Sequence, residues 1–180
     1  SALQAAFDTH NSPDEVWNSE SGYSGSSFPS LANPSASDVQ HYTFYDQYDF
    51  VAALNSNLAF DAGNAYHAKH SSAKGLLTGS VSYNQADHNQ YFMSASYFDT
   101  KNRPIQSFET HVLSPTMPNR TDVEYNFSGE VLKSRMLHKK TGAADIIELT
   151  ENEYDHVGRL TKIFHTLNGY KTEIARMSYD

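Results

Sequence analysis

His67 and His70, three residues apart in the tetrapeptide HAKH, come nearest in this chain to a metal-ligand spacing. On a helix they would share a face. A zinc site would need a third ligand, with Asp61 and His88 as candidates. Neither spacing is distinctive, and surface histidines in a loop are the simpler reading. Asp46, Asp49 and Asp61 make an oxygen-rich stretch of the kind that holds calcium, with plain solvation as the simpler account. Glu151 and Glu153 lie two apart, on one face of a strand, where an acid–base pair and a cross-strand ion pair look alike. The absence of Cys removes thiol catalysis, disulfides and cysteine-based zinc sites. The chain has no G-x-S-x-G elbow, no Gly-rich phosphate loop and no basic aromatic stripe. No catalytic residue, metal or cofactor is expected.

Stacking is the second chemistry on offer. Tyr42, Phe44, Tyr45, Tyr48 and Phe50 crowd nine positions, and Trp17 and Tyr23 lie upstream. Rings beside carboxylates are suited to sugars. Trp17, Tyr42, Tyr45 and Tyr48 would stack on the apolar faces of a sugar, and Asp46 and Asp49 would take its hydroxyls. The competing reading makes the same rings a hydrophobic cap that closes a sheet.

The totals fit β structure with a modest core. On the usual apolar count, with Tyr left out and Gly added, the chain reaches roughly 36%, below the ~45–50% of ordinary domains. Ser, Asn, Thr and Tyr fill the gap, and aromatic residues make up 13%, a composition that favours pleated, half-buried surfaces. Charge is unevenly placed. Eight acids precede the first basic residue, Lys69, so the stretch 1–68 carries the whole net charge of −8, and 69–180 holds thirteen acids and thirteen bases. An acidic first third argues against nucleic acid as a partner. No apolar run approaches the ~20 residues of a membrane span.

The elements that must position these groups fall into three parts. Residues 1–41 are rich in Ser, Asn and Pro and read as a long irregular loop, pinned by Phe7, Trp17, Tyr23 and Phe28. Residues 42–90 read as an aromatic-rich cap or a preceding section of sheet. Within them Asp49 is expected to cap a short helix, with Phe50, Leu54 and Leu58 on one face. KGLLTGSVSY (74–83) reads as a strand broken at Gly79. Residues 91–180 read as strands separated by turns. TDVEY alternates Thr121, Val123 and Tyr125 against Asp122 and Glu124, whereas RLTKIFH (159–165) does not alternate cleanly.

The last part repeats. YFDTKNRPIQS (97–107), YNFSGEVLKS (125–134) and YDHVGRLTKI (154–163) align with an aromatic slot at Phe98, Tyr125, Tyr154 and Tyr179. Asp99, Asn126, Asp155 and Asp180 follow it, then Asn102, Gly129 and Gly158, then Arg103, Glu130 and Arg159. Asp or Asn opens a turn by accepting backbone hydrogen bonds, and Asn or Gly tolerates the left-handed backbone three residues on. That is a hairpin loop of a type I turn plus a bulge. Asn168-Gly169, Thr141-Gly142 and Pro115–Asn119 read as turns at the opposite edge. The expected fold is mainly β: an antiparallel sheet of stacked hairpins, with a short helix in the less regular N-terminal part.

Tyr-Asp, two free positions, Gly-Arg-Leu, then about twenty residues and Tyr-Asp again resembles the YD repeats of Rhs-family proteins. YDHVGRLTKIFHTLNGYKTEIARMSYD (154–180) carries that resemblance best. YNFSGEVLKSRMLHKK and YFDTKNRPIQSFETH carry it with Asn126 in the Asp slot and Asn102 in the Gly slot. KGLLTGS ahead of YFDTKNRPIQS is similar to a bacterial surface subset of the family. The resemblance implies an internal fragment of a secreted or cell-surface bacterial protein, in which YD repeats build a hollow shell that encloses or displays a toxin-like effector domain. Its partners would be neighbouring repeats of the same longer chain. A carbohydrate-binding adhesion module, taking a surface glycan, is the alternative.

Overall fold

The computed structural model describes residues 17–18, 22–23, 40–84, 86–111, 114–139 and 142–180. Within the acidic first part, strands β1 (Trp17–Asn18) and β2 (Gly22–Tyr23) pair antiparallel. The rest of residues 1–39, with Phe7 and Phe28, lies outside the described residues, as do the side chains of Trp17 and Tyr23.

The described residues from 40 onward build a nine-stranded sheet: β3 (His41–Asp46), β4 (Ala73–Asn84), β5 (Asp87–Phe98), β6 (Pro104–His111), β7 (Ser114–Tyr125), β8 (Val131–His138), β9 (Ile146–Tyr154), β10 (Leu160–Leu167) and β11 (Tyr170–Arg176). Each strand pairs antiparallel with its neighbour in sequence, so the sheet is an up-and-down meander with β3 and β11 at its edges. From β4 onward the connections are too short for a parallel crossover and leave only antiparallel hairpins; β3 alone joins its neighbour through a longer segment. Residue 91, where the repeat character begins in the sequence, lies inside β5.

Between β3 and β4 the chain lays a lid on one face. It consists of helix α1 (Asp49–Leu54), a 3₁₀ turn at Ser56–Leu58 and the loop to residue 72. Tyr48, not Asp49, occupies the helix N-cap and makes no side-chain cap bond; Asp49 is the first helical residue. Leu58 sits in the 3₁₀ turn, because the chain leaves the helix through an extended Asn55. Phe50, Val51 and Leu58 are buried with Phe44, Val81, Met93, Ala95, Tyr97, Ile105 and Phe108. Burying each large apolar side chain contributes about 1.5–3 kcal/mol, so this face of β3–β6 holds most of the core.

Gly79 does not break β4, which runs from Ala73 to Asn84. It makes room instead. A Cβ at Gly79 would overlap the Phe50 ring and the Ser94 carbonyl, and Phe50 stacks on Phe44 there at 4.2 Å. Pro115–Asn119 is likewise no turn but part of β7. The ladder between β6 and β7 shifts register at Glu109/His111, so prolines in this stretch sit where ladder donors are not required. Asp122 is fully buried rather than on a solvated polar face, because Gln106, Arg120 and Arg135 from the sheet close around it beneath the lid.

The two faces differ in kind. Phe44, Gly79, Ala95, Phe108, Arg120, Leu137 and Ile147 stand opposite one another in turn across the lid face. On the other face two of the rows are polar: Thr43, Ser80, Ser94, Glu109 and Asn119 make one, and Ser134, Thr150, His165 and Thr172 another.

Candidate functional site

The repeated residues come together along one edge of the sheet, at the turns β5–β6, β7–β8 and β9–β10. All three loops close identically. The amide of the opening residue donates to the carbonyl four residues on: Asp99 to Arg103 (3.0 Å), Asn126 to Glu130 (3.0 Å) and Asp155 to Arg159 (2.9 Å). The amides of Asn102, Gly129 and Gly158 return to the opening carbonyls at 3.0, 3.2 and 3.1 Å. Those three residues have φ of 61°, 104° and 85°, the left-handed backbone that Gly and Asn tolerate best.

The opening side chain fastens each loop. Asp99 Oδ1 accepts the amides of Lys101 (2.8 Å) and Arg103 (3.0 Å), and its Oδ2 takes Arg103 Nε at 2.7 Å. Asp155 repeats this with Val157 (3.0 Å), Arg159 N (2.9 Å) and Arg159 Nε (2.7 Å). Asn126 Oδ1 takes Gly129 and Glu130 amides at 2.9 Å each, and its amide nitrogen donates to the Glu130 carboxylate. The Arg159 amide, with the Arg159 side chain and the Val157 amide, holds the Asp155 carboxyl at about 2. At Asp99, burial pushes the carboxyl up, but the Arg103 side chain and the Arg103 and Lys101 amides outweigh it and the net shift is downward.

Each hairpin then grips the next. The Tyr125 hydroxyl donates to Pro104 O (2.9 Å), Tyr154 to Val131 O (2.9 Å) and Tyr179 to Leu160 O (2.7 Å). In every case the acceptor lies five residues after the Asp or Asn that opened the preceding turn. The preceding arginine covers the ring: Arg103 lies 4.6 Å from the Tyr125 centroid and Arg159 4.5 Å from Tyr179. Glu130 occupies the arginine slot of the middle turn. Arg103 Nη1 also reaches Asn126 O (3.1 Å) and Lys101 Nζ reaches Phe127 O (2.8 Å), tying one turn to the next.

No family model, curated protein or solved structure matches this chain.

The other candidate residues are dispersed. Of the rings at 42–50, Phe44 and Phe50 are core, and Tyr42 packs edge-on to Tyr83 at 6.1 Å. Tyr48 stacks on Tyr97 at 4.6 Å with Lys69 Nζ 4.7 Å from its centroid, and burial raises its phenol to about 12. Tyr45 is 42% exposed. Asp46 accepts the Gly75 amide at 2.5 Å, and Asp49 opens α1. Trp17 is described only in its backbone pairing with Tyr23. His67 Nε2 accepts the Tyr125 amide (2.9 Å) and His70 Nδ1 bonds Ser72 O (2.8 Å); the His88 side chain lies outside the described residues. Glu151 pairs with Lys171 at 2.5 Å and Glu153 with Lys162 at 2.9 Å. Among the described residues, no three His, Asp or Glu side chains cluster as metal ligands, and no helix is long and apolar enough to cross a membrane.

One polar node has no counterpart in the sequence reading. The buried Asp122 carboxylate accepts Gln106 Nε2 (2.7 Å), Arg120 Nε (3.0 Å) and Arg135 Nη2 (2.8 Å). Arg120 also pairs with Asp61 at 2.5 Å, and Gln106 holds the Asp61 backbone. Arg135 reaches Asn64 O at 2.5 Å. These bonds bolt the far end of the lid to β6, β7 and β8. The partners are up to 71 residues apart in sequence, so no local pattern announces them.

Proposed function

We propose that this chain is a non-catalytic, architectural section of a YD-repeat, Rhs-like shell or scaffold. The assembly is bacterial, secreted or exposed at the cell surface, and encloses or displays an effector domain. One observation carries the reading: the tyrosine hydroxyls of Tyr125, Tyr154 and Tyr179 all reach the carbonyl five residues past the preceding turn opening. Such a contact is made between neighbours only, and can be added indefinitely without changing what is already built. The burial of Phe44 and Phe50 supports the same reading, since it makes the aromatic run at 42–50 serve the core.

The test is to raise an antibody against residues 154–180 and recover the native polypeptide from cells and medium. The expected product is a long surface or secreted chain whose electron micrographs show a closed β shell around density for a second domain. A free protein of about the 20.1 kDa of this chain, or an open particle with no cargo, would overturn the proposal.

A further inference from the structure

The face of the sheet opposite the lid carries a ring that the core does not use. Phe92, in the middle of β5, is 52% exposed. Two of its neighbours on that face are short: Ser82 stands opposite it on β4, and Ser94 follows two residues on, paired with Ser80. Small neighbours leave the ring standing clear of the sheet. Ser80, Ser82, Phe92, Ser94 and Glu109 line a shallow groove of ≈ 240 Å³ there.

The polar groups in the groove are placed and available. The Ser80 and Ser94 hydroxyls touch at 3.0 Å, and each retains further hydrogen-bonding capacity. Glu109 stands opposite Ser94 on β6 and is exposed, with no ion-pair or hydrogen-bond partner among the described residues. Residues two apart on a strand lie roughly 6.5–7 Å apart, and diagonal neighbours about 7–8 Å. Phe92, the serine pair and Glu109 thus form a triangle about as wide as one sugar ring. Two other clefts among the described residues lack this availability. Arg120 beside Asn57 and Met117 is neutralised by Asp61 and Asp122, and Lys69 occupies the cleft of Tyr48, Phe60 and Tyr97.

We propose that Phe92, Ser80, Ser94 and Glu109 form a subsite for one neutral hexose ring of a glycan. The ring's C–H face lies on the phenyl face, and the Glu109 carboxylate accepts two neighbouring hydroxyls. The serine pair takes a third hydroxyl. At ≈ 240 Å³ the groove is smaller than the ~300 Å³ at which pockets for drug-sized ligands begin, which suits a single ring of a longer chain and an open mouth. This site uses none of the residues of the turn edge and stands independently of the shell reading.

The experiment is an array of neutral oligosaccharides read with the folded protein, followed by titration calorimetry on the best hit. Phe92→Ala and Glu109→Gln are each expected to weaken binding by about tenfold or more, from the loss of a ring contact or a charge-assisted bond. Tyr45→Ala, an exposed ring outside this groove, should leave binding unchanged. Phe92→Leu keeps apolar bulk without a ring face and must behave like Phe92→Ala, which separates stacking from folding. Silence across the array, or binding that survives either the Phe92 or the Glu109 change, overturns the proposal.

Discussion

Asp99 offers the sharpest test of how the repeated turns hold. Its side chain is 8% exposed and makes three kinds of contact at once. It accepts two backbone amides, pairs with Arg103, and so steadies the guanidinium over Tyr125. Replacing it with Ala removes two amide bonds worth about 1 kcal/mol each and a charge-assisted pair worth about 1.5–3. Water reaches part of the loop and recovers some of the loss, so Asp99→Ala should cost about 3 kcal/mol. Asp99→Asn is the informative partner. Asn126 fills the equivalent place in the next turn and its Oδ1 takes both amides at 2.9 Å. An Asn at 99 should therefore keep the loop closed, lose only the charge on Arg103, and cost about 1–2 kcal/mol.

Urea titration reads both values, with an unchanged slope showing that the cooperative unit is intact. For a chain of this length about 3 kcal/mol corresponds to roughly 6–12 °C in Tm. Equal costs for Ala and Asn would mean that the amide bonds contribute nothing and the charge everything. A cost for Ala below about 1 kcal/mol would mean that the loop closes without its side chain. Either result refutes the account of the turn as a side-chain-fastened loop.

Three further outcomes follow from the same geometry. Gly79→Ala should destabilise by about 3 kcal/mol, the upper end for overpacking, because Ser94 O is backbone and Phe50 is wedged against Phe44; a urea midpoint within error of wild type would contradict this. Acid should weaken the turns: Asp155 at about 2 and Asp99 below its usual range contribute stability that is complete above the unfolded carboxyl pKa of about 4. That contribution fades as pH falls toward the folded values, so the Asp99→Asn, Asp155→Asn double variant should lose less stability than wild type between neutral and strongly acidic pH, and an identical acid profile would rule this out. β11 is an edge strand with Tyr170 84% and Ile174 59% exposed, so light scattering should show association growing with concentration and reduced by Ile174→Lys; monodisperse monomer at millimolar concentration would count against it.

What was legible in the sequence was the part whose cause is local. Asp155 predicts its turn because its own side chain closes it within four residues. Gly158 and Asn102 predict their backbone because few other residues tolerate it. Hairpins joined by such turns lead to a meander without further information. The lid was legible only as a short helix with Phe50 on its inner side. Its docking partners Gln106, Arg120 and Arg135 come from three later strands. Asp122 shows the limit best: strict alternation put it with Glu124 on a polar face, and the polarity was real. What decides its burial is the arrival of Arg120 and Arg135 beneath a lid folded from residues some sixty positions earlier. A carboxylate with that many donors is cheaper to bury than to strand.

The same division explains where a ligand can sit. The lid holds the apolar face of β3–β6, so the aromatic run at 42–50 is spent largely on cohesion, and only Tyr45 among the named rings is left well exposed. Phe92 escapes this because it points the other way, among serines that bury little apolar surface. In a sheet the side-chain period is two, so neighbours in sequence serve opposite faces. Met93 is 1% exposed in the core and Phe92 beside it is 52% exposed. An aromatic count along the chain cannot separate the two roles, whereas the parity of the position relative to Met93 separates them at once.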